Sequence, residues 1–176
     1  MEMGTGKSKV LIDNIAMLFD RGKINSALIV APKGVYRNWE RQEIPTHMPE
    51  HVDYSILVWN PSSTSFLKEY AKFIKNNDNL KIFLINIDAF STSRGTEIAK
   101  RFLTATQCLM AIDESTTIKT PTAKRTKTVC KMRTLAKYRR ILTGSPVTKS
   151  PLDLYTQCYF LDPELLGFAS YYTFKN

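Results

Sequence analysis

The chain has 176 residues, 43% hydrophobic and 23% charged, enough to bury a core of its own and to exclude a disordered or fibrous segment. No apolar run approaches the roughly 18 residues of a membrane span and no secretory leader is recognisable, while Cys108, Cys130 and Cys158 form neither a C-x-x-C pair nor an even disulfide set, so reduced thiols in the cytoplasm and no membrane partner are expected. The net charge of +9 is uneven: from Ser115 to Leu152 there is no acidic residue, but ten basic ones, Lys119, Lys124, Arg125, Lys127, Lys131, Arg133, Lys137, Arg139, Arg140 and Lys149.

In chain order, Lys9 to Arg21 reads as a helix, with Leu11, Ile15, Leu18 and Phe19 on one face. Ser26–Pro32 (SALIVAP) is a short apolar strand ended by Pro. GVYRNWERQEI is a helix that Pro45 is expected to stop, and Tyr54–Trp59 is a strand. TSFLKEYAKFIKNN is an amphipathic helix with Phe66, Leu67, Tyr70, Phe73 and Ile74 inward. Lys81–Ile87 is a strand, GTEIAKRFLTAT a helix, Cys108–Asp113 a strand, TAKRTKTVCKMRTLAK a helix and Arg139–Gly144 a strand. Ser150 then caps a last helix, with Pro151 at its first position, that runs to about Leu161. Continuous apolar strands alternating with helices predict one α/β domain with a parallel sheet covered on both faces. The acid-free basic stretch suits a polyanion, nucleic acid first, although a solvated helix face would carry the same charges.

The most chemical stretch is the opening one, EMGTGKS, Glu2 to Ser8. Glycines let backbone N–H groups turn inward around phosphates; Gly4 and Gly6 supply them. Lys7 would reach the β- and γ-phosphates of a nucleotide, Ser8 would hold Mg²⁺, and the following helix points its positive end at the same anion. The full pattern G-x-x-x-x-G-K-[S/T] needs glycine where this chain has Met1, so only the short form is present. A second half of such a site is CLMAIDES, an apolar strand ending in Asp113-Glu114. One carboxylate there would hold Mg²⁺, and the other would orient and deprotonate an attacking water. A chance glycine turn and an exposed acidic turn are the plainer readings of the two segments taken singly. No N-K-x-D segment is present, which disfavours GTP.

Taken in order, EMGTGKS, LIVAPKGVYRNWERQ, LINIDAFS, MAIDESTTIKT and RRILTGSPVTKSPLDLYTQCYFLDPELLG resemble the first RecA-like domain of superfamily 2 helicases, most closely the Swi/Snf-type branch. The L-T-G-[S/T]-P segment followed by FLDPELLG is the most specific piece. The resemblance implies a three-layer P-loop NTPase fold with a mostly parallel central sheet over residues 1–176. It also implies ATP and Mg²⁺ as cofactors and DNA, duplex more than single-stranded, as partner. It assigns Gly4, Thr5, Gly6, Lys7 and Ser8 to phosphates and metal, and Asp113 and Glu114 to the acidic pair. Thr143, Gly144 and Ser145 become the motif that couples hydrolysis to nucleic-acid contact, and Pro32, Lys33, Asn38 and Trp39, in APKGVYRNW, lie against the backbone of the tracking strand. Lys119 of the basic stretch joins this nucleic-acid set.

The pattern departs from the family at Thr116, where the family carries a His or an analogous residue; this Asp-Glu-Ser-Thr form looks like that of phage-encoded helicases. The family's strand before the loop and its second RecA-like domain are also not seen, so an excised piece of a longer motor, inactive alone, is expected. An RNA-directed enzyme of the same superfamily and a non-hydrolysing nucleic-acid-binding domain are the alternatives. Among the remaining candidates, His47 and His51 have a helical metal-pair spacing, but Pro45 and Pro49 interrupt the helix and no third ligand is near, so surface histidines are expected. Trp39 and Trp59 are able to stack on bases but are read first as packing groups. Asn86 and Asp88 close a strand, either as turn formers or near nucleic acid.

Overall fold

Five apolar runs become the five strands of one sheet in the computed structural model, which describes residues 6–75 and 79–176. They are β1 (Ser26–Ala31), β2 (Tyr54–Val58), β3 (Leu80–Asn86), β4 (Cys108–Asp113) and β5 (Tyr138–Leu142), in the order β2-β3-β1-β4-β5 and all parallel. Every residue of β1 and β4 is buried, as central strands covered on both faces must be. The alternation of side chains across the sheet divides the core in two. One half gathers Leu28, Val30, Phe83, Ile85, Met110 and Ile112 with Phe66, Phe90 and Phe102; the other gathers Ala27, Ile29, Leu80, Ile82, Leu84 and Ala111 with Leu11, Ile15 and Trp39. This is the predicted α/β, three-layer arrangement with a parallel central sheet.

The helices are α1 (Lys7–Asp20), α2 (Tyr36–Asn38), α3 (Ile44–His47), α4 (Phe66–Lys75), α5 (Ser93–Ala105), α6 (Lys124–Met132), α7 (Leu154–Leu161) and α8 (Tyr171–Lys175). The predicted inward face of α1 is buried at Leu11, Ile15 and Leu18. On α4, Phe66 and Phe73 are buried but Leu67 is 53% exposed; its neighbour Phe66 takes the inward position, in edge contact with Trp59 at a centroid distance of 5.0 Å. Trp59 is therefore a core group. Ser150 caps as expected, accepting from the Leu152 N–H. The short α8, with a capping box on Ser170, has no apolar period to announce it.

Pro45 does not stop its helix. Between α2 and α3 the chain widens into a π-helical turn, Trp39–Glu43, with the Ile44 N–H donating to the Trp39 carbonyl. A proline in an α-helix lacks the N–H that would reach four residues back and its ring crowds that carbonyl. The wider turn removes both demands and lets the helix continue to His47.

Apart from Lys119, which is half-buried, the basic stretch divides by residue type. Lys124, Lys127, Lys131, Lys137 and Lys149 are exposed, whereas Arg125, Arg133, Arg139 and Arg140 are half-buried. Arg139 donates to the carbonyls of Leu161, Arg133 and Ala136, and Arg140 joins β5 to Asn14 on α1 at 3.0 Å. The planar fork of arginine suits several fixed acceptors, and lysine prefers water.

One glycine is required by space. A Cβ on Gly95, near the start of α5, would lie 2.7 Å from the Ala89 Cβ and closer still to the Ala89 carbonyl oxygen, in the 3₁₀ turn Ile87–Ser91. Gly95→Ala is therefore expected to destabilise the fold by about 1–3 kcal/mol through overpacking, seen as a fall of several degrees in Tm; an unchanged Tm would show that α5 slides freely on that turn.

Candidate active site

A parallel sheet delivers all its strand ends to one edge. Here that edge collects Pro32 and Lys33 after β1, Asn86 at the end of β3, Asp113 and Glu114 at the end of β4, and Thr143 to Ser145 after β5. The chain leaves β1 toward β2 and β3 but leaves β4 toward β5, so the order reverses between β1 and β4. A crevice opens at such a reversal, and ligands of α/β proteins bind there.

The α1 helix begins at this edge. Gly6 caps it at φ 76°, a left-handed conformation, and contributes no side-chain cap; the first N–H groups of a helix have no partner within it, which suits an anion. Lys7 opens the helix, half-buried, with Ser8 beside it. Gly4 and Thr5 lie outside the described residues. The ammonium of Lys7 is near enough to favour the ionised form of Asp113. Lys7 and Asp113, 106 positions apart in sequence, are thus brought near one another.

Asp113 is 9% exposed. Burial raises its pKa above the ordinary carboxylate value, opposed in turn by a hydrogen bond from Trp39, one from the Glu114 backbone and the charge of Lys7; Glu43 pushes the other way. The Trp39 Nε1–H donates to Asp113 Oδ2 at 2.9 Å and the Glu114 N–H to Oδ1 at 3.0 Å. Each carboxylate oxygen is held by one donor, which fixes the group's rotation. Glu114 itself adopts φ 50°, ψ 61°, the only left-handed non-glycine among the described residues. Strain of that kind costs on the order of 1–3 kcal/mol and concentrates where a side chain must be aimed.

This donor set fits a nucleotide with Mg²⁺. The helix start and Lys7 suit phosphate, and the Ser8 hydroxyl and Asp113 carboxylate are hard oxygen ligands of the kind Mg²⁺ takes one or two at a time, keeping the rest as water. No cluster of three His, Cys, Asp or Glu exists among the described residues.

Of the nucleic-acid candidates, Lys33 and Asn38 are exposed at the same edge, with Asn38 Nδ2 donating to Glu43 Oε1 at 3.1 Å. Trp39 is corrected: at 1% exposure and bonded to Asp113 it has no face for a strand. Sequence reasoning missed this bond, because an indole serves equally as packing and as donor and its partner is 74 residues away. Lys119 is half-buried, bonded to Thr148 and paired with Asp153 at 3.6 Å, so its charge is engaged within the chain. Asn86 is a turn former, accepting from the Ala89 N–H at 2.9 Å, and Asp88 pairs with Arg125 at 3.3 Å. His51 meets Asp20 at 3.0 Å and His47 lies 3.9 Å from Glu43. Thr143 accepts from the Ser145 N–H at 3.2 Å and Ser145 donates to the Val147 carbonyl at 2.9 Å, so the segment folds on itself.

The family description of the SNF2-related domain matches residues 1–176. The chain belongs to the SNF2-related family. Among solved structures, this SNF2-related domain is similar to the Sulfolobus solfataricus SWI2/SNF2 ATPase core in complex with dsDNA, with a TM-score of 0.69 and 27% identity over 99% of this chain and 32% of that one. The ATPase core domain from the same organism gives a TM-score of 0.65 at 27% identity, again over 99% of this chain and 32% of that one. Curated relatives include the chromatin remodeling factor mit1 of Schizosaccharomyces pombe, 24% identical over 96% of this chain and 11% of that protein. The CHD3-type chromatin-remodeling factor CHR7 of Arabidopsis thaliana is 25% identical over 94% of this chain and 13% of that protein. The SNF2-related domain described here thus spans about a tenth of these relatives and a third of the solved chains. Its fold is that of a Swi/Snf-type first RecA-like domain, and no helix among its described residues is long and apolar enough to cross a membrane.

Proposed function

We propose that this domain is the ATP-binding half of a Swi/Snf-type motor that couples ATP hydrolysis to movement on duplex DNA. The observation that carries the reading is that the Lys7 ammonium lies near enough to Asp113, at the end of β4, to favour its ionised form. A phosphate-binding helix start and a metal-binding carboxylate have to converge on one triphosphate, and the proximity of these two side chains, from distant segments of the chain, supports that assignment.

In this reading the N–H groups of the first turn of α1, with Gly4, Thr5 and Gly6, bind the phosphates. Lys7 neutralises the β- and γ-phosphates. Ser8 and Asp113 hold Mg²⁺, whose charge when bound offsets that developing on the phosphoryl oxygens. Glu114 orients the attacking water and accepts its proton. Trp39 and the Glu114 N–H keep Asp113 from rotating. Thr143 to Ser145 link the site to the nucleic acid, which Lys33 and Asn38 approach at the same edge. Turnover needs a second RecA-like domain to complete the cleft.

DNA is favoured over RNA as the track because the neighbour whose core is similar was solved with dsDNA. The exposed lysines supply charge for either polymer, so the rate of ATP turnover of the full-length protein with duplex DNA and with duplex RNA distinguishes them. If lysine–phosphate contacts hold the track, log affinity falls with log salt by about 0.9 per phosphate neutralised. A filter-binding series over salt concentration measures the slope, and a flat line would remove the electrostatic track.

A further inference from the structure

We propose that Gln157, on α7, is a positioning residue that ties the acidic loop after β4 to the loop after β5, so that the two move as one unit. The inference rests on the ATPase reading above and concerns how its two loops communicate.

The side chains involved are sealed in: Ser115, next to Glu114, and Gln157 are both 0% exposed. The Ser115 hydroxyl donates to Gln157 Oε1 at 2.5 Å. The amide nitrogen donates to two carbonyls, Pro146 at 2.8 Å and Asp153 at 2.7 Å. Both N–H groups and the carbonyl are therefore used, and the amide has a single orientation, since its nitrogen faces only acceptors. Pro146 directly follows Thr143, Gly144 and Ser145, so this one side chain bridges the segment bearing Glu114 and the segment after β5.

Two neighbours on the same helix start reinforce the tie. Thr156 donates to the Ile118 carbonyl, in the turn after Ser115. Asp153 Oδ2 accepts from the Thr148 hydroxyl at 2.7 Å and from the Lys149 and Thr148 N–H groups at 2.9 and 3.0 Å, and pairs with Lys119. These bonds, with desolvation opposing them, hold the Asp153 carboxyl well below the usual range. Glu114 is held in a left-handed conformation, so a small rotation of its loop re-aims the carboxylate. A fully satisfied buried amide transmits such a rotation because breaking it leaves polar groups unpaired in a dry environment. Thr116, where the sequence departs from the family pattern, directly follows Ser115 and is half-buried.

The test uses the full-length protein and reads the ratio of ATP turnover with saturating duplex DNA to turnover without it. Gln157→Leu keeps bulk and removes all three bonds; Ser115→Ala removes only the bond to the acidic loop and leaves the smaller cavity, so it serves if Gln157→Leu does not fold. Each variant is expected to lower the stimulation ratio by about tenfold. The double variant is expected to be no worse than the more affected single one, because both break one path. A stimulated wild type whose variants keep their ratio, or whose turnover falls equally with and without DNA, overturns the proposal alone. A wild type with no DNA-stimulated turnover overturns the ATPase reading and this proposal with it.

Discussion

Replacing Glu114 by glutamine is expected to lower the ATP turnover of the full-length protein by about 10²–10⁴, the range for loss of a general base, while nucleotide binding persists. Glutamine keeps the size of the side chain and cannot accept the proton of water. The main-chain N–H of residue 114 still donates to Asp113 Oδ1, so the metal-binding carboxylate keeps its orientation. Lys7 and the start of α1 are untouched, and binding of a fluorescent ATP analogue should stay near the wild-type value. The two measurements together discriminate between readings. Lost turnover with retained binding is the signature of hydrolysis at this site; unaltered turnover would move the chemistry elsewhere, and a wild type without turnover would favour a domain that binds without hydrolysing.

Trp39→Phe should have the second largest effect, about 10- to 100-fold in apparent Mg²⁺ affinity or activity, as for other partners of metal-binding carboxylates. The substitution keeps an aromatic ring in the core and deletes one N–H donor. A hydrogen bond to a charged group contributes about 1.5–3 kcal/mol, which matches that range of affinities. The pH dependence has a definite sign. Burial already raises the Asp113 pKa, and the indole bond lowers it toward the ordinary value. Losing the bond raises it further, so the variant should hold its proton to higher pH. The pH below which Mg²⁺-dependent nucleotide binding fails should therefore move upward. Mg²⁺ titrations at a series of pH values measure it. An unshifted profile would mean that the indole only fills space.

Both halves of the proposed site were legible as residue types: a lysine at a helix start, and a carboxylate pair at the end of an apolar strand. The edge they share followed from the parallel sheet, itself readable from the doubly apolar runs of β1 and β4. What was not legible depended on distance or on a local compromise. The helix past Pro45 continues because the backbone widens at Trp39–Glu43, and the stop rule for proline assumes a regular α-helix. Leu67 fits the apolar pattern of α4 yet faces solvent, since Phe66 fills the inward place. The role of Gln157 had one faint signal, a polar pair, Thr156-Gln157, inside an otherwise apolar α7; its partners, Ser115 and Pro146, are set by tertiary folding alone.

The division of the basic stretch into buried forks and exposed ammonium groups has a further meaning. Arginines such as Arg139 and Arg140 fasten the sheet to α1 and the end of α7, so they are committed to architecture. Of the outward lysine side chains, Lys137 alone among the described residues bonds beside the sheet, to Gln107 Oε1 at 3.0 Å. Grip on a polyanion is thereby free to drift, through exchange or acylation of single ammonium groups, without the scaffold having to be rebuilt each time.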